Sequence, residues 1–131
     1  MKKLICTVGL PYSGKTSWAL TTNYPIVSPD SVRLALHGTR YIQNSEPIVW
    51  VLVEYMISSL FIAGHNTIIL DATNNTQKRR DKWIEFCKNK GYEIEFNYIN
   101  TNKNICLERA ISNSDTEIMS IIEKQAQEKD W

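Results

Sequence analysis

Three features of this chain predict an α/β fold in which a parallel sheet is covered by helices on both faces. Strand-like and helix-like patterns alternate from end to end. Two of the four strand-like runs, Lys3 to Val8 and Thr67 to Leu70, are continuously apolar, as central strands buried on both sides must be. The segment Gly9-Leu10-Pro11-Tyr12-Ser13-Gly14-Lys15-Thr16 follows the first run directly, in the Walker A spacing of a phosphate-binding loop between strand and helix.

The elements follow in order. After Lys3 to Val8 and the loop, a first helix runs from about Gly14 to Thr22, its N-terminal dipole aimed at whatever anion the loop holds. A short strand at Ile26 to Ser28 leads into a helix at Asp30 to Leu36. Pro47 to Ala63 forms a longer, strongly apolar helix closed by Gly64. Glu54, Ser58 and Ser59 interrupt its apolar run, which stops short of the ~20 residues a bilayer requires, so no membrane role is expected. Its place, in the core or at a homo-oligomer interface, stays open, because periodicity does not decide between them.

Beyond Thr67 to Leu70, a helix at Gln77 to Asn89 carries Lys78, Arg79, Arg80, Lys82, Lys88 and Lys90 and is capped by Gly91. These cations make either a solvated face or a phosphate-contacting patch. The fourth strand, Glu93 to Ile99, alternates apolar Ile94, Phe96 and Tyr98 with Glu95 and Asn97, which places it at the sheet edge. Helices at Lys103 to Ile111 and Asp115 to Lys129 finish the chain. Ser114 to Glu117 reads as a capping box for the last of these, and its polar end beyond Gln125 is expected to project into solvent.

A chain of 131 residues fits one domain, and 43% hydrophobic with 22% charged residues is the composition of a folded globular protein. A net charge of +1 gives no global field for long nucleic acid, so any polynucleotide contact must be local. Cys6, Cys87 and Cys106 are odd in number and widely spaced, which fits neither a disulfide framework nor a zinc site and points to a reduced, cytoplasmic setting.

The loop Gly9 to Thr16, with Ser17 behind it, makes ATP the expected ligand. A turn of backbone N–H groups must curl round phosphate, which glycine-rich backbone does without a Cβ clash. Lys15 supplies a point charge to the β- and γ-phosphates, and the Thr16 hydroxyl can coordinate Mg²⁺. In open α/β sheets the rest of the chemistry gathers at the strand ends. Asp71 ends Thr67 to Leu70 and is placed to hold magnesium through water, a role compatible with capping the helix beyond it. Asp30 ends the second strand across the crevice from Lys15, where a carboxylate can take a proton from an attacking hydroxyl. Arg33, one helical turn on, shares its face and suits an anionic acceptor. No glycine follows Asp71 at a switch spacing, and Thr101-Asn102-Lys103-Asn104 lacks the aspartate of a guanine-reading motif, which argues against a GTPase.

The ordered set of Gly9 to Thr16, Asp30-x-x-Arg33, Asp71-Ala72-Thr73-Asn74 and Arg79-Arg80-x-x-Trp83 resembles the phage-type polynucleotide 5′-kinase domain and related small P-loop kinases. The likeness runs in order over about residues 2 to 112. It implies a P-loop NTPase three-layer sandwich with a four-stranded parallel sheet in the order 2-3-1-4. It implies, further, transfer of the γ-phosphoryl group of ATP to a hydroxyl, in that family the 5′-OH of a DNA or RNA end, by a cytoplasmic enzyme that in a phage acts in its host's cytoplasm. By position, Lys15 and Thr16 bind triphosphate and magnesium, Asp30 is general base, and Arg33 holds the acceptor. Asp71 supports the metal, Thr73 and Asn74 line the acceptor side, and Arg109 is a lid arginine. A small-molecule kinase and a non-catalytic ATP-binding module are the alternatives on the same scaffold. The chain departs from the family twice: Tyr12 replaces the usual glycine, at a position that would be strained if it needs positive φ, and Asn113 replaces a second lid arginine.

Overall fold

The computed structural model describes residues 1–131. Four strands, β1 (Lys3–Val8), β2 (Ile26–Val27), β3 (Thr67–Leu70) and β4 (Glu93–Tyr98), form a parallel sheet in the order β2-β3-β1-β4. The two continuously apolar strands are therefore the central ones, and the alternating strand is an edge. Six helices connect and flank them: α1 (Lys15–Thr21), α2 (Pro29–His37), α3 (Glu46–Ile62, after a 3₁₀ turn at Gln43–Ser45), α4 (Gln77–Lys90), α5 (Lys103–Ser112) and α6 (Glu117–Glu128). This is the P-loop NTPase sandwich.

Successive strand residues point to opposite faces, and each face buries its own set. Leu4, Cys6, Val27, Ile68 and Leu70 pack with Val49, Val53, Ile57 and Phe61 of α3 and with Trp83 and Cys87 of α4. Ile5 and Ile69 pack on the other side against Ala19 and Trp18 of α1. All three cysteines are free and buried. A separate cluster joins Leu10 of the phosphate loop to Cys106 and Ala110 of α5 and Ile118 and Ile122 of α6.

Register explains where the site lies. Val27 pairs with Leu70, and Leu70 with Cys6, so the C-terminal ends of β2, β3 and β1 leave the sheet side by side. Ser28, Asp71 and Gly9 are thus brought to one rim by strand pairing alone.

Helix ends follow their local chemistry for the most part. Ser28 and Thr76 cap α2 and α4 with side-chain oxygens that accept from Ser31 N and Arg79 N. Three expectations need correction. The capping box at Ser114 to Glu117 does not form: Thr116 makes no side-chain cap bond, and the Asp115 carboxylate is taken instead by Arg40 and Tyr12. The end of the chain does not project into solvent, because Asp130 pairs with buried Arg80 and accepts from Gln77 N, while Trp131 Nε1 donates to Asn75. Arg80 consequently leaves the expected basic surface. The third correction concerns α3, which extended back through Gln43 has 20 residues and is long and apolar enough, by length and composition, to cross a bilayer. In the fold one stripe of it lies against the sheet, while Ile48, Val51, Tyr55 and Ile62 stay exposed.

Candidate active site

The phosphate loop is shaped by two glycines that are needed for different reasons. A Cβ on Gly9 would stand 2.7 Å from Ser13 Oγ and 3.0 Å from the Ile99 carbonyl, so the position admits no side chain. Gly14, the N-cap of α1, has open space around it but a φ of 102°. Tyr12 does adopt positive φ, 64°, which confirms the strain expected there. Its compensation is tertiary. The phenol donates to Asp115 Oδ2 at 2.8 Å, and Arg40 holds both oxygens of the same carboxylate at 2.9 and 2.6 Å. The Arg40 guanidinium, with the phenol's hydrogen bond, holds the Asp115 pKa down at about 2.

Inside the loop, Lys15 Nζ donates to the Leu10 carbonyl at 2.9 Å. Burial lowers the pKa of this ammonium, and the carboxylates of Asp71 and Asp30 pull it back up. Ser13 Oγ is buried with no hydrogen-bond partner. An orphaned hydroxyl, a desolvated ammonium and a cradle that a Cβ would fill together fit a polyphosphate. Pro11 and Ser17 line the mouth of the same crevice, and Leu10 anchors the loop from behind.

The Thr16 hydroxyl donates to Asp71 Oδ2 at 2.6 Å. That pair is the oxygen donor set a hard divalent cation requires, so the residues present fit Mg²⁺. Asp71 is buried, and the loop after it is held by Thr7, whose hydroxyl accepts from Ala72 N at 3.0 Å and donates to the Ala72 carbonyl at 2.8 Å. Asn74 lines the same crevice; its side chain, only 1% exposed, donates from Nδ2 to the Thr7 carbonyl at 2.8 Å and so ties the loop to β1, while its Oδ1 is buried with no hydrogen-bond partner. Thr73 is half-buried on the crevice wall, and its carbonyl accepts from Gly9 N.

Opposite the phosphate loop, the first turn of α2 presents Asp30 with 79% of its side chain exposed, paired to Arg33 Nη1 at 2.7 Å. Arg33 is also bound by Glu46, which accepts from Nε at 3.0 Å and from Nη2 at 2.7 Å. Burial acts to lower the Arg33 pKa, but the bonds and charge of Glu46, then Asp30, raise it on balance. Sequence reading missed Glu46. Its only local signal was an acid in the first turn of α3, and nothing local pointed to a partner thirteen residues earlier. On α5, Arg109 Nη1 donates to the Tyr12 carbonyl at 2.9 Å, and the Asn113 side chain donates to the Arg109 carbonyl. Lys103 pairs with Glu123, away from these groups. Lys15, Thr16, Asp30, Arg33, Asp71, Thr73 and Arg109 all border one crevice of ≈ 1150 Å³. Arg40 and Trp50, which sequence reading gave no part in a site, border it too, as does Arg79 of the basic α4 patch.

Residues 4–128 match the family model described as an AAA domain. The chain belongs to that family. Among solved structures, this AAA domain is similar to a chain of the Pnkp1/Rnl/Hen1 RNA repair complex, with 22% identity over 97% of its own length and 45% of that chain, at a TM-score of 0.72. A second structure of the Pnkp1/Rnl/Hen1 complex gives 24% identity over 82% of this chain and 38% of that one, at 0.73. The AAA domain thus spans less than half the length of those repair-complex chains. It is also similar to a gluconokinase from Sinorhizobium meliloti 1021, with 16% identity over 98% of its length and 75% of that chain, at 0.66. The Mycobacterium tuberculosis APS kinase CysC, in complex with AMPPNP and APS, shares 16% identity over 83% of this chain and 68% of that one, at 0.62. At these identities the likeness is one of fold: this AAA domain has the P-loop fold that small kinases use.

Proposed function

We propose that this AAA domain is an ATP-dependent phosphotransferase whose acceptor is a hydroxyl, the 5′-OH of a DNA or RNA end. The observation that carries the reading is the solvent-facing Asp30 carboxylate, bordering the same crevice as Lys15 and the Thr16–Asp71 pair. In the reaction, the acceptor hydroxyl gives its proton to Asp30 as its oxygen bonds to the γ-phosphorus, and the bond from that phosphorus to the β,γ-bridging oxygen breaks to release ADP. Lys15 and the loop amides hold the phosphates, Arg33 orients Asp30, and Arg109 supplies positive charge from the lid. Thr16 and Asp71 would hold Mg²⁺, which supplies charge neutralisation on the phosphate oxygens when bound.

The order of motifs, Gly9 to Thr16, Asp30-x-x-Arg33 and Asp71-Ala72-Thr73-Asn74, supports the polynucleotide acceptor. The near-neutral charge and the likeness to a gluconokinase and an APS kinase favour a small-molecule acceptor as the second reading. Labelled ATP with Mg²⁺ and 5′-hydroxyl oligonucleotides tests the first. Label transfer that Asp30→Ala removes is expected. Absence of transfer from pure protein, with ADP released only on sugars or nucleosides, moves the assignment to the second.

A further inference from the structure

α3 is apolar on both of its sides, although only one side meets the rest of the fold. Val49, Val53, Ile57 and Phe61 recur every four residues and lie buried in the main core. The opposite side carries Ile48, Val51, Tyr55, Ser58 and Ile62, in alternating steps of three and four residues, the spacing of a seam between packed helices. Its four large members are all exposed, Tyr55 at 71% and Ile62 at 81%. In water, a helix apolar all round is ordinarily covered all round.

The layout of the outer side specifies its cover. Tyr55 is the midpoint, with Ile48 and Ile62 seven residues to either side. Val51 and Leu52 lie in the N-terminal half, and Ser58 and Ser59 hold the matching places in the C-terminal half. Two such helices laid antiparallel, with a two-fold axis at Tyr55, bring Ile48 of each copy against Ile62 of the other. They also set the bulky pair of Val51 and Leu52 opposite the small serine pair. A stripe that complements its own reverse is what an isologous interface demands.

Size and charge agree. With Met56 beside it, the stripe leaves on the order of 600 Å² open, at the top of the range for one patch on a monomer and near the ~800 Å² per partner of a standard interface. α3 carries Glu46 and Glu54 but no Lys or Arg, whereas a helix lying on a membrane takes its hold on anionic lipid from basic residues. Its other side is committed to the core, so it cannot cross a bilayer while the fold stands.

We propose that the outer face of α3 binds a second copy of this chain, in a two-fold dimer centred on Tyr55. The inference is independent of the acceptor. It bears on the site all the same, because α3 delivers Glu46 and Trp50 to the crevice, and covering its outer face steadies the helix that holds Arg33.

Sedimentation equilibrium of the full chain reads the dimer directly. Wild type should show twice the 15.1 kDa of one chain, with a dissociation constant that is micromolar or tighter. Tyr55→Glu sets two like charges at the axis and should weaken association by at least about 30-fold. Ser58→Leu makes the surface more apolar, yet it collides with Val51 and should also dissociate the pair; adding Val51→Ser should restore it. The three native cysteines are buried, so introduced ones report the geometry. Under mild oxidation Tyr55→Cys should crosslink to itself, and Ile48→Cys should crosslink to Ile62→Cys but not to itself. Thermal melts verify folding, and should Ser58→Leu not fold, Tyr55→Glu and the crosslinks decide. A wild-type monomer, a dimer indifferent to Tyr55→Glu, or tighter association in Ser58→Leu overturns the proposal. So does a monomer that floats with phosphatidylcholine and phosphatidylserine vesicles, which would give the face to lipid.

Discussion

Alanine at Gly9 and at Gly14 should damage the phosphate loop by unrelated mechanisms, and a second substitution at each position separates them. At Gly9 the obstacle is collision. The new Cβ lies 2.7 Å from Ser13 Oγ, which can rotate away, and 3.0 Å from the Ile99 carbonyl, which cannot move freely because Ile99 N donates to the Val8 carbonyl at 2.7 Å. Displacing the end of β4 is overpacking, worth about 1–3 kcal/mol. For a chain of this size that is a melting-temperature drop of roughly 3–15 °C. At Gly14 the nearest atom is Arg109 Nη1 at 3.8 Å, so space is ample and the penalty is the φ of 102°. That costs about 1–2 kcal/mol for an L-residue, less the few tenths to 1 kcal/mol that alanine recovers by restricting the unfolded chain. Asparagine tolerates left-handed backbone but is larger than alanine. Gly14→Asn should therefore be milder than Gly14→Ala, whereas Gly9→Asn should be worse than Gly9→Ala, in melting temperature and in calorimetric ATP affinity alike. The same rank order at both positions would refute the division between steric and conformational causes.

Lys15→Ala should nearly abolish ATP binding, while Asp30→Ala should spare it and lower transfer by about 10²–10⁴-fold, checked by calorimetry beside a label-transfer assay. Equal loss of ATP affinity in both variants would contradict the roles given to them. Thr7→Val deletes a hydroxyl that both accepts from Ala72 N and donates to the Ala72 carbonyl, and should cost about 1–3 kcal/mol in denaturant unfolding. It should also slow transfer more than it weakens ATP, because Thr7 fixes the loop that carries Thr73. Asp115 has a folded pKa of about 2 against an ordinary 3.8, so its pairing stabilises the fold above pH ~4 and is lost as pH falls towards 2. Melting temperature should fall across that window in wild type and less steeply in Asp115→Asn, which starts from lower stability at neutral pH.

What was legible in the sequence was what short stretches decide. Continuous apolar runs separated the central strands from the alternating edge strand, and the loop Gly9 to Thr16 could be read because its spacing, its preceding strand and its following helix are contiguous. The resemblance, which puts glycine where this chain has Tyr12, raised the question of positive φ there, and the backbone does adopt it. Asp115 shows where this ends. By local rules it belonged to a capping box, but a bidentate arginine from residue 40 and a phenol from residue 12 bind it more strongly than a helix terminus does. Arg80 looked like one more surface cation until the chain end, fifty residues on, supplied a carboxylate and the Asn74 carbonyl took its other side. Asn74 itself sat in a motif whose resemblance placed it at the acceptor, and only the packing of β1 beside that loop shows its amide facing the Thr7 carbonyl.

The same partnering logic ranks the candidate residues. A charged side chain that the fold has already satisfied holds shape, and one left unsatisfied in a crevice is free for a ligand. Arg80, Arg40 and Arg33 have their carboxylates, and their removal should be felt first in stability or alignment. Ser13 Oγ, the Lys15 ammonium with only the Leu10 carbonyl as partner, and the Arg79 guanidinium lack anionic partners, and all three border the same crevice. The first two await the phosphates of a nucleotide. The third borders the crevice from the first turn of α4, held over the Trp50 ring rather than by a carboxylate.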